Sequence, residues 1–565
     1  MKPDVPKILN ISCLDPILQD VLSRDLGISR ILAQVLINRG FKTAAEAEKF
    51  LSAKLDDLLS YQLLPDIERA VDLVKCALGN RNNKVMIFGD YDTDGITGVA
   101  LLKKTLSKMG MDVEHYLPHR IKEGYGLNKN VLSLIKQKGI KLLITVDCGT
   151  NNHLEIRQLR QEKIEVVVID HHESADSDLP PASAIVNPKL KNSRYPYRDL
   201  AGVGVAYKFC QAVTGDKLFE DLDLVSLGTI SDVVPLTGEN RILVKEGLSA
   251  LTRTKNVGLK ALIETSGIED KKMTPYFVSY ILGPRINASG RIASAEIALE
   301  LLLTGEELKA RGLAEIIEAH NRQRQRIESV ILQEAEDLIS REINFKEHKV
   351  IVIAKDDWHP GVLGIVASKL TDRFYRPTIL ISKGHSLCKG SARSIKNFHL
   401  FEMLCKCRHL LESFGGHAHA AGLVISPKKI EDFKKLINHL AEEKLLFMDL
   451  LPSLDIDMEL KLQELDKEVV MELEALAPFG LGNPEPLFFT RELRVKGEPR
   501  VLGRNTLKFW VTDGEFTYPA IGFNLGELKD NLINAKSLDL VYKPKMDLWE
   551  DNETIFLEVQ EIFFR

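Results

Sequence analysis

The chain has 565 residues, enough for three or four domains at a prior of ~150 residues each. Its apolar fraction is 44%, its charged fraction 27% and its aromatic fraction 7%, which exclude a disordered, collagenous or disulfide-framework chain. Lys+Arg 75 against Asp+Glu 80 leave a net charge of −5, so any surface for nucleic acid has to be local. No run approaches ~18 consecutive apolar residues, and no membrane span is expected. The start, MKPDVPKILNISCLD, is broken by Pro3, Pro6 and charges and lacks a signal-peptide core. Seven scattered cysteines without a CxxC pair read as reduced thiols in a cytoplasm.

In chain order, residues 1 to about 48 read as a small helical leader, with ISRILAQVLINRGF apolar at helical spacing. From about 66 to 236, short apolar runs alternate with amphipathic stretches. VMIF (85–88), LLITV (142–146) and VVVI (166–169) are expected strands. ITGVALLKKTLSKMG and NNHLEIRQLRQEK are expected helices between them. This alternation predicts a parallel sheet covered on both faces. Residues 306–342 predict one long charged helix, with Arg322, Arg324 and Arg326 on a solvated face rather than against nucleic acid.

A second α/β unit comes next, from KVIVIA (349–354) through GVLGIVASKL and PTILIS to FGGHAHAAGLVIS, closed by the helix PKKIEDFKKLINHLAEEKL. From about 485 the short alternating runs LKFWVT, YPAIGF, LDLVY and TIFLEVQEIFF predict a small antiparallel barrel or sandwich. LKFWVT would present Lys508 and Trp510 on one face and Leu507 and Phe509 on the other. Lys543, Lys545 and Trp549 lie in a later segment and, with Trp510, are candidates for gripping a single strand.

The chemistry lies just past the end of each expected strand. After VMIF come Asp90, Asp92 and Asp94; after LLITV comes Asp147; after VVVI come Asp170, His171 and His172. Ligands of open α/β sheets bind outside the carboxyl ends of the strands. Like-charged carboxylates ~4 Å apart repel by about 4 kcal/mol at an effective dielectric of ~20, so such a cluster calls for cations. Carboxylates with an imidazole suit Mn2+ or Mg2+ rather than a structural zinc site. Asp232, a lone acid in the apolar helical stretch DLVSLGTISDVV, is either a fourth contributor or an internal helix cap. Cys148, next to Asp147, reads as a small core residue. Cys405, Cys407, His409, His417 and His419 have poor zinc spacing.

These residues resemble the DHH phosphoesterase superfamily, and within it the RecJ family of single-strand-specific exonucleases. VMIFGDYDTDGITG, ITVDCGT, VVVIDHHE and GTISDVVPL resemble the four metal-site motifs, in order. HRIKEGYGLN (119–128) and LGPRINASGRI (282–292) resemble two further motifs of that family. GSARS (390–394) and FGGHAHAAG (414–422) resemble the DHH-associated domain, and LAPFGLGNPEP (476–486) the entry to an oligonucleotide-binding (OB) fold.

The resemblance implies an α/β fold: a parallel-sheet DHH domain and a smaller α/β DHH-associated domain joined by a long helix, then a C-terminal OB-like β-barrel. The implied division is a helical leader 1–48, a catalytic domain 49–305, a connecting helix 306–344, a substrate-binding domain 345–446 and an OB-like nucleic-acid-binding domain 447–565. It implies two divalent ions, Mn2+ or Mg2+. Asp92 would hold the first, Asp147 would bridge, and Asp94, His171 and Asp232 would complete the second. Asp170 would orient a neighbouring histidine, and His172 would sit near the scissile phosphate or its water. Some relatives carry His four residues before Asp92; here that residue is Phe88, and Asp90 is the substitute.

Arg120, Arg285 and Asn287 are implied substrate contacts, and Tyr125 a base-stacking residue. Ser391 and Arg393 would bind the terminal 5′-phosphate, and His417 would face the substrate. The implied activity is 5′-to-3′ hydrolysis of single-stranded DNA, in repair and recombination. The implied partners are single-stranded DNA with a 5′ end, single-strand-binding protein and a helicase, with a monomeric enzyme in the cytoplasm. Two rivals stand beside it: a phosphodiesterase of short oligoribonucleotides or cyclic dinucleotides, and a non-catalytic replication scaffold with eroded metal ligands.

Overall fold

The computed structural model describes residues 7–79, 84–174, 178–547 and 554–565. They form two compact units, one of residues 59–234 and 246–452, the other of residues 7–58, 235–245 and 453–565.

The first unit is built on five parallel strands: β1 (Lys84–Gly89), β2 (Val113–Tyr116), β3 (Ile140–Val146), β4 (Glu165–Ile169) and β5 (Ala184–Val186). Their order is β2-β1-β3-β4-β5. The three strands expected from VMIF, LLITV and VVVI are there, buried along nearly their whole length. β2 and β5 are too short to stand out as apolar runs. Gly89 pairs with Val146, and Val146 with Ile169. The next residues, Asp90, Asp147 and Asp170, therefore leave the sheet at one level. Helices α1 (Thr93–Lys108), α2 (Gly202–Thr214), α3 (Leu222–Ser231) and α4 (Gly283–Ile292) carry the remaining site residues.

Helix α5 (Glu307–Glu342) is the expected long helix. Its buried stripe includes Ala310, Leu313, Ala314, Ile317, Ile331, Ala335 and Ile339, at the three- and four-residue steps of an amphipathic helix. The expectation of a solvated arginine face is corrected at Arg324. Arg324 lies in the buried stripe and donates to Glu328 (2.5 Å) and Asn321 (2.7 Å), which pairs a guanidinium that could not be buried alone.

Beyond α5 a mixed sheet of five strands forms: β6 (Ile351–Asp356), β7 (Thr378–Lys383), β8 (Cys388–Arg393), β9 (Leu411–Gly416) and β10 (Ala420–Ile425), in the order β9-β10-β8-β7-β6. Only β6 and β7 are parallel, joined through helix α6 (Pro360–Phe374).

In the second unit, β11 (Phe488–Leu502), β12 (Thr506–Thr512), β13 (Thr517–Gly522), β14 (Leu538–Asp547) and β15 (Thr554–Phe564) close into a barrel. The circuit is β11-β12-β13-β15-β14 and back to β11. One pair, β13 with β15, is parallel, so the barrel is not wholly antiparallel as expected. Leu507 and Phe509 face its core, and Lys508 and Trp510 face outward. Trp549 lies outside the described residues.

The leader is not separate. Ile8–Ile11 pairs in parallel with Ser453–Ile456. Ile31, Leu32, Val35 and Leu36 share a core with Phe488, Phe509 and Leu540 of the barrel. Buried Arg241 donates to the carbonyls of Phe50, Ala475 and Leu476, and its guanidinium lies 4.0 Å from the Phe50 ring centre. The expected boundary at residue 48 fails because the apolar face of the leader is buried by sequence more than 400 positions away.

All seven cysteines are free. No helix among the described residues is long and apolar enough to cross a membrane.

Candidate metal centre and phosphate pocket

The aligned ends of β1, β3 and β4 deliver the acids. Asp147 adopts φ 59°, a left-handed conformation that Asp tolerates better than most residues and that is typical of strained functional positions. Its backbone N–H still donates to Ile169 (3.0 Å), which fixes the turn. Asp92 caps α1, accepting from the Gly95 N–H at 3.2 Å. Gly95 cannot be replaced freely, since a Cβ there would stand 2.7 Å from the backbone N of Asp90. The Asp94 carboxylate accepts from the N–H groups of Gly202 (2.7 Å) and Val203 (2.8 Å), at the positive end of α2. Asp232 is the C-terminal cap residue of α3, its backbone N–H donating to the Gly228 carbonyl (3.0 Å).

Three sets of side chains could each hold an ion, their ligand atoms lying within 4.8 Å of one another: Asp90 with Asp92 and Asp147; Asp94 with His171 and Asp232; and Asp147 with His171 and His172. His171 Nε2 is 3.1 Å from Asp147, 3.6 Å from Asp232 and 3.9 Å from Asp94. Among the described residues no lysine or arginine forms an ion pair with these acids, and no other group of this kind occurs. Cys405, Cys407 and His409 belong to none. Phe88 is buried and stacks on Tyr116 (5.9 Å between centres, 12°), so its position supplies no ligand.

The electrostatics are those of a site short of positive charge. Burial, then the Asp92 carboxylate, pushes Asp94 up to about 7. Burial and the same neighbour drive Asp90 well above the ordinary carboxylate range. Asp147 and Asp232 are raised by burial and then by Asp94. Burial, then His172, pushes His171 down to about 3, which leaves a neutral imidazole able to ligate. Asp90 Oδ1, Asp147 Oδ1 and both His171 ring nitrogens are buried without a hydrogen-bond partner. Buried polar atoms are ordinarily satisfied, and hard oxygens beside a neutral imidazole fit Mn2+ or Mg2+. The donor set therefore fits two divalent ions.

Asp170 belongs to none of these three sets. It accepts from the N–H groups of His171 (2.8 Å), His172 (3.2 Å) and Thr150 (3.0 Å), and lies 2.8 Å from His172 Nδ1. Burial works against its charge, but His172 outweighs it and holds Asp170 well below the usual range. Burial likewise opposes the charge on His172, but Asp170 outweighs it and raises His172 to about 9. The Asn187 amide donates to the His172 carbonyl (2.9 Å) and to Thr150 (3.0 Å), bracing the loop. The Tyr125 hydroxyl donates to the Asp147 carbonyl (3.1 Å), and its ring lies edge-on to His172 at 5.6 Å. Tyr125 as a whole is 47% exposed.

A cationic pocket adjoins the acids. Ser391 and Arg393, two apart on β8, share one face of the strand. A Cβ on Gly364 of α6 would stand 2.9 Å from both Arg393 Nη2 and Ser391 Oγ, so the two side chains converge on bare helix backbone. Arg120 lies over the Tyr91 ring, 4.7 Å from its centre. Arg291 donates to the Gly361 carbonyl (3.0 Å). Burial, then Arg120 and Arg393, lowers Arg291 to about 9. Three guanidiniums gathered this way call for an anion. His417 stays exposed between β9 and β10, close enough to Arg393 and His172 to feel both charges.

Two expected substrate contacts are otherwise engaged. Arg285 donates to Glu318 (2.8 Å) and to the Ile281 carbonyl (2.9 Å), a structural pair between α4 and α5. Asn287 accepts from the Thr93 N–H (3.0 Å) and so holds the metal loop. Sequence reasoning missed Arg291, although it lies in LGPRINASGRI, and Gly202, in AGVGVA. A Cβ on Gly202 would stand 2.9 Å from the side chains of both Asp94 and Asp147.

Comparison with known proteins matches three stretches of the chain to known domain families. The DHH family N-terminal domain matches residues 84–229, the DHHA1 domain residues 347–443 and the RecJ OB domain residues 456–561. The single-stranded-DNA-specific exonuclease RecJ of Bacillus subtilis is 37% identical over 544 residues, covering 96% of this chain and 69% of that protein. The chain belongs to the RecJ family. The crystal structure of RecJ from Thermus thermophilus in complex with Mn2+ superposes with a TM-score of 0.84 at 29% identity, covering 99% of this chain and 80% of that one. The Mg2+ complex of the same RecJ gives 0.78 at 28% identity, with 98% and 78% covered.

Proposed function

We propose that the chain is a metal-dependent exonuclease that hydrolyses single-stranded DNA from the 5′ end, in DNA repair and recombination. The observation that carries this reading is the set of five acids and one neutral histidine gathered beside a pocket of three arginines, with no ion pair from these acids to a lysine or arginine among the described residues. Asp90, Asp92 and Asp147 would hold one ion; Asp94, His171 and Asp232 would hold the other, with Asp147 between them. Bound Mn2+ or Mg2+ would offset the phosphate charge and acidify the attacking water.

The protein's own side chains do the rest. His172, kept charged by Asp170 on Nδ1, turns Nε2 toward the scissile phosphate and stabilises charge there. Ser391, Arg393, Arg291 and Arg120 bind the terminal 5′-phosphate, with His417 at the rim. The Tyr125 ring stacks on the terminal base, a slot suited to one strand and too narrow for a duplex. On the barrel, Lys496 pairs across the sheet with Trp510, and Arg500 with Lys508. That outward face joins cations to an exposed aromatic and suits the trailing strand. Lys543 and Lys545 are excluded from this role, because both ion-pair with Glu485.

This reading assigns a monomer in the cytoplasm, with single-strand-binding protein and a helicase as partners. The test is digestion of a 5′-phosphorylated strand with Mn2+ or Mg2+. The wild type should release mononucleotides and Asp147→Asn should be inactive; equal activity of the two would refute the reading.

A further inference from the structure

Helix α4 runs along the site like a ruler. At its C-terminal end Arg291 stands in the arginine pocket. In its middle Asn287 holds the Thr93 N–H, inside the metal loop. At its N-terminal end the Gly283 carbonyl accepts from the Thr93 hydroxyl (3.4 Å), and a Cβ on Gly283 would stand 2.6 Å from Ser231 Oγ, next to Asp232. The order along the helix is phosphate pocket, metal loop, Asp232 side.

Just before α4 the chain makes a π-helical turn, Val278–Leu282, in which Val278 and Leu282 are buried. Single π turns concentrate at functional sites. Tyr276 precedes this turn and Tyr280 lies within it, and both project into solvent, 61% and 70% exposed. Their ring centres are 5.1 Å apart at an interplanar angle of 36°, and Phe277 backs Tyr276 edge-on at 5.8 Å. A tyrosine pair this exposed buries little of its ring surface. It does present two π faces to a flat ligand.

We propose that Tyr276 and Tyr280 form a stacking platform for the bases of the DNA strand on the 3′ side of the bond being cut. The inference rests on the exonuclease reading. If the 5′-phosphate lies at Arg291 and the scissile phosphate at the metal loop, the rest of the strand leaves toward the opposite end of α4. At 1.5 Å per helical residue, Tyr280 lies about 16 Å along the chain axis from Arg291, a span of several nucleotides. Stacking on aromatics tolerates any base, as an exonuclease without sequence preference requires.

The test compares the wild type with Tyr276→Ala/Tyr280→Ala and Tyr276→Phe/Tyr280→Phe, on a 5′-phosphorylated 30-mer and a 5′-phosphorylated dinucleotide. The ratio of kcat/KM for the 30-mer to that for the dinucleotide should fall about tenfold or more in the alanine pair and return in the phenylalanine pair. A second readout is the fluorescence of 2-aminopurine, placed a few nucleotides from the 5′ end of a 30-mer with a phosphorothioate at its first bond. Its quenching on binding should be lost only in the alanine pair. An alanine pair with the wild-type ratio and wild-type quenching overturns the platform, leaves the exonuclease reading standing and points to a protein partner for the patch. A wild type that quenches 2-aminopurine but degrades neither substrate refutes the exonuclease reading and leaves the stacking surface.

Discussion

Asp147 Oδ1 lies 3.1 Å from His171 Nε2, yet neither atom has a hydrogen-bond partner and both are buried. The acid sits at the end of β3 and the imidazole just past the end of β4, neighbouring strands in register. Two unsatisfied polar atoms held this close are arranged for a cation that both can ligate.

Metal binding should become tighter as pH rises, and metal-free protein less stable. The folded-state pKa of Asp94 is raised to about 7, and those of Asp90, Asp147 and Asp232 are raised as well. Groups raised in the folded state stabilise it while protonated, so their contribution is complete below the ordinary carboxylate pKa and is lost as pH climbs through about 7. A divalent ion removes that loss by compensating the charges. The gap between the Tm in Mn2+ and the Tm in EDTA should therefore widen from pH 5 to pH 8. A gap that narrows over this window would contradict the assignment.

Gly202→Ala should damage the centre without touching a ligand. The new methyl would meet Asp94 and Asp147 at 2.9 Å, and neither short side chain can retreat far. Overpacking of this kind costs about 1–3 kcal/mol. Calorimetric titration should show Mn2+ affinity reduced about tenfold, the order seen when groups supporting a ligand are disturbed. Unchanged affinity would mean that the two acids are free to move.

Asp170 sets the charge on its neighbour. His172 is raised to about 9 against the pull of burial, with Asp170 as the largest raising influence. Its contribution to stability is present below about 6.5 and disappears as pH passes about 9. In Asp170→Asn the His172 resonance followed by NMR should titrate at lower pH, and the alkaline limb of the kcat/KM profile should move down with it. A profile with an unmoved limb would release His172 from a role in its charged form.

Two arginines of one motif should behave differently. Arg291→Ala and Arg393→Ala should each reduce the preference for a 5′-phosphorylated over a 5′-hydroxyl strand about 10- to 100-fold, the equivalent of one charge-assisted hydrogen bond. Arg285→Ala, which breaks the pair with Glu318, should leave that preference alone and lower stability by about 1–3 kcal/mol. Competition between the two strands in one digestion measures all three variants. The reverse pattern would return Arg285 to the substrate.

Much of this site was legible in sequence because strands announce themselves locally. A short apolar run predicts a strand, its end predicts where the next residues emerge, and acids at three such ends predict one charged edge. The alternation in LKFWVT assigned Lys508 and Trp510 to one face and Leu507 and Phe509 to the other for the same reason, and the barrel carries them that way. What no local window contains is which partner a side chain meets. Arg285 and Arg291 are six residues apart on one helix, and only the packing of α4 between α5 and the first turn of α6 sends one to Glu318 and the other to Gly361. The leader has the periodicity of a free-standing amphipathic helix pair, and only the closed barrel shows what covers its apolar face. Sequence alone determined the residue types and the strand ends that carry them, because backbone periodicity is local. Tertiary structure decided Gly202, Arg291, Arg324 and the place of the leader, because each depends on a contact between distant segments.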